Sequence, residues 1–525
     1  MNQSIPRRPV KRIAAIDLGT NSFHALIVEI FSDGSFYVID KLKEMVLLAE
    51  KGLGDRLSAN AMDRGIEALK KIKVLADSHQ AETILAYATS AIREAENGGD
   101  FIQRAIDEVG VKINAIPGRI EAELIGLAVQ HGVKMPSNPA VIMDIGGGSV
   151  EFILADQERF YHLSSKKLGV ARMTANYIDH DPISPDEINA LKEHFDSKLM
   201  DVAEAFAMHR SPLLIGSSGT MENIGLMIAH RNNKTPNLTI NELEFTAKEF
   251  FEFYDEVIGL NEKKRAKLKG LDEKRIKLLP AGLVLVHYIL RKFGIKRVKI
   301  SSQALREGIV LRYIRKEMSE GIRMHLDESP RRRSVMELVH KCDWHESHSR
   351  HVAKLALKLF DELTDDLKLE AEDRELLEYA SLMHDIGYHI SHRKHHKHAL
   401  YIINNADLKG FKEEEIDVMA NVARYHRRST PKSRHPHYDK LDKSVKKRVE
   451  NLSAILRVAD GLDRSHFQNV RAFEMVKKNG QIRLTLETEA EPNLEIWGAM
   501  RKRSLLEEVT GKKLVIADSH QTKEK

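Results

Sequence analysis

The chain has 525 residues, which is too long for a single hydrophobic core, so we expect about three or four domains. Its 42% hydrophobic and 30% charged residues are ordinary for a globular protein, and the net charge of +5 permits an anionic substrate without demanding one. The one cysteine, Cys342, excludes a disulfide framework within the chain and favours a reducing compartment.

The apolar runs are short. None approaches the roughly 18 residues that a membrane helix needs. Residues 1–12 are basic and predict a disordered arm, and the apolar run that follows ends at Asp17, too early for a secretory signal peptide. We therefore expect a cytoplasmic protein without a transmembrane segment.

Residues 13–130 alternate predicted strands and helices and are expected to form a first α/β lobe. Apolar runs at 13–16 and 25–28 flank the segment 17–22, which predicts two strands joined by a tight turn. A strand at 83–88 runs into a helix, where small hydroxyl side chains and Arg93 suit a phosphate, although such an arginine usually faces solvent. The helix predicted at 120–129 starts with Glu121, which either complements the helix dipole or faces a cleft between lobes.

The second lobe, residues 131–315, begins with a hairpin whose tip is three glycines. The segment Asp144-Ile145-Gly146-Gly147-Gly148-Ser149-Val150-Glu151 lies between two apolar runs, which predicts strand, turn and strand. Glycines allow backbone N–H groups to converge on a phosphate, and carboxylates at the rim indicate a divalent cation. The alternative is a glycine-rich turn without a ligand.

The two hairpins form an internal repeat. Aligned on their aspartates, the matching pairs are Asp17 with Asp144, Gly19 with Gly146, Ser22 with Ser149, and His24 with Glu151. A repeat at this long interval predicts two similar domains, with facing phosphate hairpins at the cleft between them.

The rest of the second lobe continues the α/β pattern. A strand at 213–215 is followed by a third Gly/Ser-rich turn and a helix, which would offer further N–H donors. Residues 241–278 are predicted to be largely helical, followed by a helix at 280–292, a strand at 298–302 and a helix from Arg306. Lys166 and Lys167, on a strand at 161–168, are candidate anion partners.

Residues 316–468 are predicted to be a helical domain, and residues 469–525 a small α+β domain with a charged, disordered tail. We interpret Arg331-Arg332-Arg333 as a solvated linker or helix edge, so we expect no nucleic-acid partner. Imidazole and carboxylate groups stand at His348, His384, Asp385, His398, His426 and Asp460. Such groups together suit a divalent transition metal, but a metal-free structural remnant and a basic surface loop at 392–398 are alternatives.

Several motifs together resemble the exopolyphosphatase/guanosine pentaphosphate phosphatase family over most of the chain. They are residues 15–23, residues 88–93, Gly118 with Glu121-Ala122, residues 144–151, residues 216–220, and Ser302 with Arg306-Glu307-Gly308. The resemblance implies two actin-like lobes of the ribonuclease H-like type, related to sugar kinases and chaperone ATPases. Long members carry an all-α HD-like domain after them, as the adjacent pair His384-Asp385 also indicates, and the small α+β domain follows.

The resemblance also implies residue roles. Glu121 would be the general base that activates water, although Ile120 departs from relatives that have a second acidic residue there. Arg93 would hold the terminal phosphoryl group. The groups expected to bind phosphate oxygens are Asn21, Ser22, Gly146, Gly147, Gly148 and Ser149. Asp144 and Glu151 would bind Mg²⁺ or Mn²⁺, and His348, His384, Asp385 and Asp460 would bind a second divalent metal in the HD-like domain.

The implied activity is release of orthophosphate from the ends of inorganic polyphosphate by a cytoplasmic homodimer. Conversion of pppGpp to ppGpp, which would link the protein to the stringent response, is the alternative, and both substrates share a terminal phosphoanhydride. A basic channel for a chain substrate is expected from Lys166, Lys167, Arg172, Arg393 and Lys394. A kinase or ATPase with a nucleoside pocket near residues 216–223, and a non-catalytic sensor of either ligand, also remain open.

Overall fold

The computed structural model describes residues 9–48, 56–234, 239–317, 329–342 and 344–518. These residues fall in two compact units, one ending at Pro330 and the other beginning at Arg331. The expected tail from 519, and residues 1–8 of the expected arm, lie outside the described residues. The disordered arm was predicted to extend to residue 12, but the first strand already begins at Lys11.

The first unit contains two sheets with helices around them. The first lobe consists of β1 (Lys11–Leu18), β2 (Ser22–Ile30), β3 (Phe36–Met45), α1 (Ala59–Ser78), β4 (Thr83–Ala88), α2 (Ser90–Glu94), α3 (Gly98–Val109), β5 (Ile113–Ala115) and α4 (Gly118–Gly132). The second lobe consists of β6 (Ala140–Ile145), β7 (Val150–Ala155), β8 (Phe160–Lys166), α5 (Val170–Tyr177), α6 (Pro185–Lys198), α7 (Met200–Met208), β9 (Leu213–Ser217), α8 (Ser218–Arg231), β10 (Glu244–Thr246), α9 (Ala247–Val257), α10 (Glu262–Arg265), α11 (Leu279–Lys292), β11 (Arg297–Ile300) and α12 (Leu305–Glu317).

The sheet topology confirms the repeat predicted from the two hairpins. The first sheet has the order β3-β2-β1-β4-β5, and the second has the order β10-β11-β9-β6-β7-β8. Read from β8, the second sheet has the order β8-β7-β6-β9-β11-β10, so its first five strands correspond to β3, β2, β1, β4 and β5. In both sheets an antiparallel hairpin is followed by parallel neighbours, and β10 is an extra edge strand. Asp17 pairs with His24 across the first hairpin, and Asp144 pairs with Glu151 across the second, as the alignment predicts.

The last helix of the unit returns to the first lobe. The helix α12 packs against α4 and β1, so the lobe boundary predicted at residue 315 does not follow the packing. Gly308 permits this approach, because a Cβ atom there would lie 2.0 Å from the carbonyl oxygen of Leu124. Side chains of both lobes and α12, including Ile13, Ile142 and Ile309, therefore share one core.

The charged segment 241–278 is less helical than its composition predicts. It contains the edge strand β10, the helices α9 and α10, a 3-10 turn at Glu273–Arg275 and irregular connections. The strand forms because residues 244–246 pair with β11, which is distant in sequence. Thr246 then ends the strand and caps α9, since its hydroxyl accepts from the Glu249 N–H and the Glu249 carboxylate accepts from the Thr246 N–H.

The second unit combines helices with a small sheet in one compact unit, whereas the sequence predicts two separate domains, 316–468 and 469–525. Its elements are α13 (Pro330–Lys341), α14 (Glu346–Leu367), α15 (Ala371–Met383), α16 (His395–Asn404), α17 (Glu413–Tyr425), α18 (Pro436–Asp439), α19 (Lys443–Gly461), β12 (Val470–Lys478), β13 (Gln481–Thr488), α20 (Asn493–Lys502), α21 (Ser504–Thr510) and β14 (Lys513–Asp518). The predicted turn Asn479-Gly480 joins β12 and β13, and both residues have positive φ. Phe473, Leu484 and Leu514 of the sheet pack into the same core as the helices.

The arginine run at 331–333 was wrongly interpreted as solvated. Arg331 and Arg333 are buried in α13. Arg331 forms ion pairs with Glu415 at 2.6 Å and Glu375 at 3.4 Å, and its guanidinium lies over the ring of Phe411. These partners come from later helices, so composition alone does not show that the charge is satisfied inside the domain. None of the helices that the structure describes is both long and apolar enough to cross a bilayer.

Candidate active site

A cavity of about 530 Å³ in the first unit is lined by residues of both lobes. It collects nearly all the site residues predicted in this part of the chain. Its lining includes Asn21, Ser22, Glu121, Asp144, Gly146, Gly147, Gly148, Ser149 and Glu151. Arg93 does not line the cavity itself, but its Nη1 atom lies 2.8 Å from Oε2 of Glu121.

The glycine hairpin of the second lobe presents N–H groups in one direction. The carbonyl groups of Gly146, Gly147 and Gly148 accept hydrogen bonds from the first turn of α5 and the residue before it, at 2.9–3.3 Å. In a trans peptide, the N–H of the next residue points away from the carbonyl. The N–H groups of Gly147, Gly148 and Ser149 therefore point away from α5, which makes them available as anion donors.

The first hairpin has the same construction. Its turn closes through Gly19 N–H to the Ser22 carbonyl at 3.2 Å, and the equivalent Gly146–Ser149 bond is 3.0 Å. The Asn21 carbonyl accepts from residues 46 and 47, so the N–H of Ser22 points the other way. The two tips approach closely, because a Cβ atom on Gly147 would lie 2.9 Å from Nδ2 of Asn21. The structure thus places the two predicted phosphate hairpins face to face.

Glu121 is a buried carboxylate in the first turn of α4, and it faces the cavity. Burial raises its pKa to about 7, although the hydrogen bond and charge of Arg93 oppose the rise. Arg93 is fixed in turn, because Nη1 also donates to the Ile116 carbonyl at 2.8 Å. Gly118 keeps the helix start open, since a Cβ atom there would lie 2.5 Å from the Cβ of Ser165. Of the two interpretations of Glu121, the geometry favours the one that faces the cleft.

Further carboxylates crowd the same cavity. Burial raises the pKa of Asp144 to about 6, and burial with the charges of Glu121 and Asp144 raises the pKa of Glu151 well above its usual range. Burial and the charge of Glu121 also raise the pKa of Asp17 to about 8. Several carboxylates held together away from water are costly unless a cation neutralises them. This donor set of hard oxygen atoms fits a divalent cation such as Mg²⁺.

One functional arrangement was missed from the sequence. Nδ1 of His24 lies 3.1 Å from Nη1 of Arg306, and Nε2 lies 2.8 Å from Oγ of Ser22. Arginine can only donate, so Nδ1 accepts and Nε2–H donates to Ser22. Burial and the charge of Arg306 lower the pKa of His24 to about 3, so the ring stays neutral. The hydroxyl hydrogen of Ser22 is then free to donate to a phosphate oxygen.

Arg275 is a second site residue that the sequence did not identify. It lines the cavity and donates to Thr220 Oγ1 at 3.1 Å, while Gly219 leaves room for its guanidinium. It lies in the charged segment 241–278, which the sequence predicts to be largely helical, so nothing in the local pattern marks Arg275 as a site residue. Arg306, by contrast, stands in a family motif that could have identified it.

A second, basic pocket of about 410 Å³ lies beside the glycine hairpin. Its lining includes Lys166, Lys167, Arg172 and Lys198, so three of the five predicted channel residues line one pocket. Arg172 connects this pocket to the hairpin, because Nε donates to the Gly148 carbonyl at 3.1 Å. Arg393 and Lys394, the other two, belong to the second unit.

The predicted metal ligands of the second unit also come together. His348, His384 and Asp460 form one buried group of candidate ligands. Asp385 belongs to an adjacent group with His426 and His395, and His395 was not singled out from the sequence. His398 stands apart from both groups, half-buried, with Nε2 3.2 Å from the Arg393 carbonyl.

The comparisons with known proteins agree with these motifs. Residues 26–317 match the model of the Ppx/GppA phosphatase family, and residues 331–502 match that of the Ppx/GppA phosphatase, domain III. The crystal structure of an exopolyphosphatase from Cytophaga hutchinsonii is 29% identical, with a TM-score of 0.55 over 58% of this chain and 98% of that one. The Aquifex aeolicus member of the Ppx/GppA family is 25% identical, with a TM-score of 0.51 over 59% of this chain and 100% of that one.

An exopolyphosphatase-like protein, 24% identical with a TM-score of 0.51 over 58% of this chain and 98% of that one, shares the fold. The family model alone spans more than half of the chain. The chain therefore belongs to the Ppx/GppA phosphatase family, and it is an enzyme, a hydrolase that acts on phosphoanhydride bonds.

Proposed function

We propose that this enzyme removes terminal orthophosphate from inorganic polyphosphate. The observation that carries the proposal is one arrangement: Glu121, held by Arg93 at 2.8 Å, faces a cavity that both glycine hairpins also line. Phosphoanhydride hydrolysis needs an oriented water and donors for the transferred phosphoryl group, with little covalent work by the protein. The cavity offers a carboxylate that would orient the water and N–H and hydroxyl donors for the phosphoryl group.

In this proposal, Glu121 takes a proton from the attacking water. A general base works best when its pKa lies near the working pH, and burial places the pKa of Glu121 at about 7. Arg93 lies beside the base and would hold the terminal phosphoryl group while it orients the Glu121 carboxylate. The Ser22 hydroxyl and the N–H groups of the two tips would bind the phosphoryl oxygens, and they are fixed before the substrate arrives.

Asp144 and Glu151 are the groups that would hold Mg²⁺ or Mn²⁺. They face each other across the second hairpin, and Ser165 donates to Glu151 Oε1 at 2.7 Å, which orients that carboxylate. When bound, the cation would neutralise charge on the substrate oxygens. The protein's own part is to keep these carboxylates together at the rim of the phosphate hairpins.

The basic pocket beside the hairpin supports a chain substrate. Polyphosphate is a chain of many phosphate units, so the units that follow the terminal phosphate need further positive charges from the protein. Lys167 and Arg172 lie there, and both pair with Glu94, so an arriving polyanion would compete with Glu94 for them. The similarity to an exopolyphosphatase from Cytophaga hutchinsonii points to the same substrate.

A pppGpp phosphatase is the second candidate. A cavity of about 530 Å³ lies within the usual size range of small-molecule sites, so it could hold a nucleotide. Comparing phosphate release from long-chain polyphosphate and from pppGpp at equal concentration, with Mg²⁺ present, separates the two. A clear preference for pppGpp would replace polyphosphate as the proposed substrate.

The role of Glu121 is tested by Glu121→Gln, which keeps the size of the side chain and removes the base. We expect turnover to fall by about 10²–10³ or more, while polyphosphate still binds. Glu123→Gln is the matched control, because Glu123 is half-buried in the same helix and does not line the cavity. Wild-type turnover in Glu121→Gln would remove this residue from the mechanism.

A further inference from the structure

Six buried side chains in the second unit form what we call the histidine–aspartate cluster: His348, His384, Asp385, His395, His426 and Asp460. They fall into two groups of three, and the candidate ligand atoms of each group lie within 4.8 Å of one another. One group is His348, His384 and Asp460, and the other is Asp385, His395 and His426. The sequence predicts a single set of four ligands, and the structure adds two further candidate ligands, His395 and His426.

Asp385 connects the two groups, because its two oxygens face in different directions. Oδ2 lies 3.5 Å from Nε2 of His384 and 3.9 Å from Nε2 of His348. Oδ1 lies 3.2 Å from Nε2 of His395 and 3.6 Å from Nε2 of His426. A carboxylate in this position can bind one ion with each oxygen.

The four imidazole rings are oriented by their other nitrogen. In each ring, Nδ1 lies within hydrogen-bond distance of a carboxylate or carbonyl oxygen, and such an oxygen can only accept a hydrogen bond. Nδ1 therefore carries the hydrogen, and Nε2 keeps its lone pair. The pairs are His348 with Asp463 Oδ2 at 2.8 Å, His384 with the Ser381 carbonyl at 2.6 Å, His395 with the His392 carbonyl at 3.2 Å, and His426 with the Ala423 carbonyl at 2.6 Å. Such outer hydrogen bonds are how proteins fix a histidine that binds metal.

Several of the inward-facing atoms have no hydrogen-bond partner. Within the described part of the chain, these include Nε2 of His348, Nε2 of His384 and Oδ1 of Asp385, all buried. The distance of 3.6 Å from His348 Nε2 to Asp460 Oδ1 is too long for a hydrogen bond. Buried polar atoms without partners are rare in folded proteins. Here two of them belong to the first group and one to the second, an arrangement that fits a metal ion in each group.

We propose that the cluster is a two-metal centre for divalent transition metals, with Asp385 as the bridging ligand. His348, His384 and Asp460 bind the first ion, and His395 and His426 bind the second. Imidazole nitrogen with carboxylate oxygen selects ions such as Zn²⁺, Co²⁺ or Fe²⁺, in contrast to the all-oxygen set of the phosphoanhydride site.

Two cations at the edge of the cluster fit this assignment. Lys502 pairs with Oδ2 of Asp460, which leaves Oδ1 directed towards His348 and His384. Arg427 donates to Nε2 of His395 at 3.1 Å, which again shows that this nitrogen is an acceptor.

The test is metal content of the full-length protein. The protein is stripped with a chelator, dialysed against Co²⁺ with excess Mg²⁺ to fill the oxygen-ligand site, and analysed by mass spectrometry and visible absorption. We expect two Co²⁺ per wild-type chain, with absorption bands of imidazole-bound cobalt. His426→Gln should retain only the first ion, and His384→Gln should retain only the second. Asp385→Ala, which lacks the bridging ligand, should retain less than one Co²⁺ per chain.

His398→Gln is the matched control, because it removes a nearby histidine outside the cluster and should retain both ions. Circular dichroism checks that each variant is folded, and chelation should lower the melting temperature of the wild type but not of Asp385→Ala. One Co²⁺ or none per folded wild-type chain would overturn the two-metal assignment. Equal losses in His398→Gln and His426→Gln would also overturn it.

Discussion

Replacing Arg93 with methionine should move the pH dependence of turnover to higher pH. Arg93 Nη1 lies 2.8 Å from Oε2 of the buried Glu121, and it is the main group that opposes the effect of burial on that carboxyl. Without it, burial and the charge of Asp144 still raise the pKa of Glu121. A base must be deprotonated to accept a proton from water, so activity rises as pH passes through this pKa.

The size of the effect follows from the contact. An opposite charge at this distance lowers a carboxyl pKa by about 1–3 units, and each unit corresponds to about 1.4 kcal/mol. With Arg93 present, the pKa of Glu121 is about 7. In Arg93→Met, the inflection of kcat/KM should therefore appear at roughly pH 8–10.

The assay is phosphate release from polyphosphate at limiting substrate from pH 5.5 to 10.5, with the Mg²⁺ concentration held constant. The absolute rate should also fall, because Arg93 is proposed to contact the phosphoryl group, but loss of rate alone does not test the coupling. Arg93→Lys is the control, since it keeps a positive charge near Glu121 and should keep the inflection near that of the wild type. An Arg93→Met profile that is lower everywhere, with its inflection unmoved, would refute Glu121 as the titrating base.

Two further predictions concern the hairpins and the buried carboxylates. Gly147→Ala should lower kcat/KM at least about tenfold, because the new Cβ would lie 2.9 Å from Asn21 Nδ2, whereas Gly99→Ala, where a Cβ atom meets nothing within 4 Å, should leave it unchanged. In thermal melts with chelator, stability should fall as pH rises from about 3.5 to 7.5, the range between the ordinary and the raised pKa values of these carboxyls. The raised pKa values of Asp144, about 6, and Glu121, about 7, mean that the folded state binds more protons than the unfolded state, and Asp144 alone accounts for about 3 kcal/mol. Mg²⁺ should reduce this slope, and a slope unaffected by Mg²⁺ would contradict the cation site.

The parts of the site that the sequence predicts are those that depend on local pattern. A strand-turn-strand with fixed Asp, Gly and Ser positions is encoded within a few residues, so the repeat was visible before the sheets were known. Two lobes with the same strand order then bring their hairpins together. Glu121 and Arg93 needed the family motif, because their local environments have ordinary explanations.

The parts that the sequence does not predict depend on partners distant in the chain. His24 and Arg306 are 282 residues apart, and their hydrogen bond sets the tautomer that frees the Ser22 hydroxyl. Arg331 looks like part of a solvated basic run until Glu415, 84 residues away, is placed beside it. Composition describes the average environment of a charged residue, whereas burial depends on which other helix packs over it.

His395 shows the same limit at the proposed metal centre. It stands in a run of histidine, arginine and lysine residues at 392–398, in which no spacing distinguishes a ligand from a surface charge. The structure separates them, because His395 is buried with Nε2 3.2 Å from Asp385, while His398 bonds to a backbone carbonyl of its own loop. Both this cluster and the carboxylates around the phosphoanhydride cavity concentrate ionisable groups where burial is unfavourable. Hydrophobic side chains would stabilise either position better, so the presence of these groups supports the cations proposed for both sites.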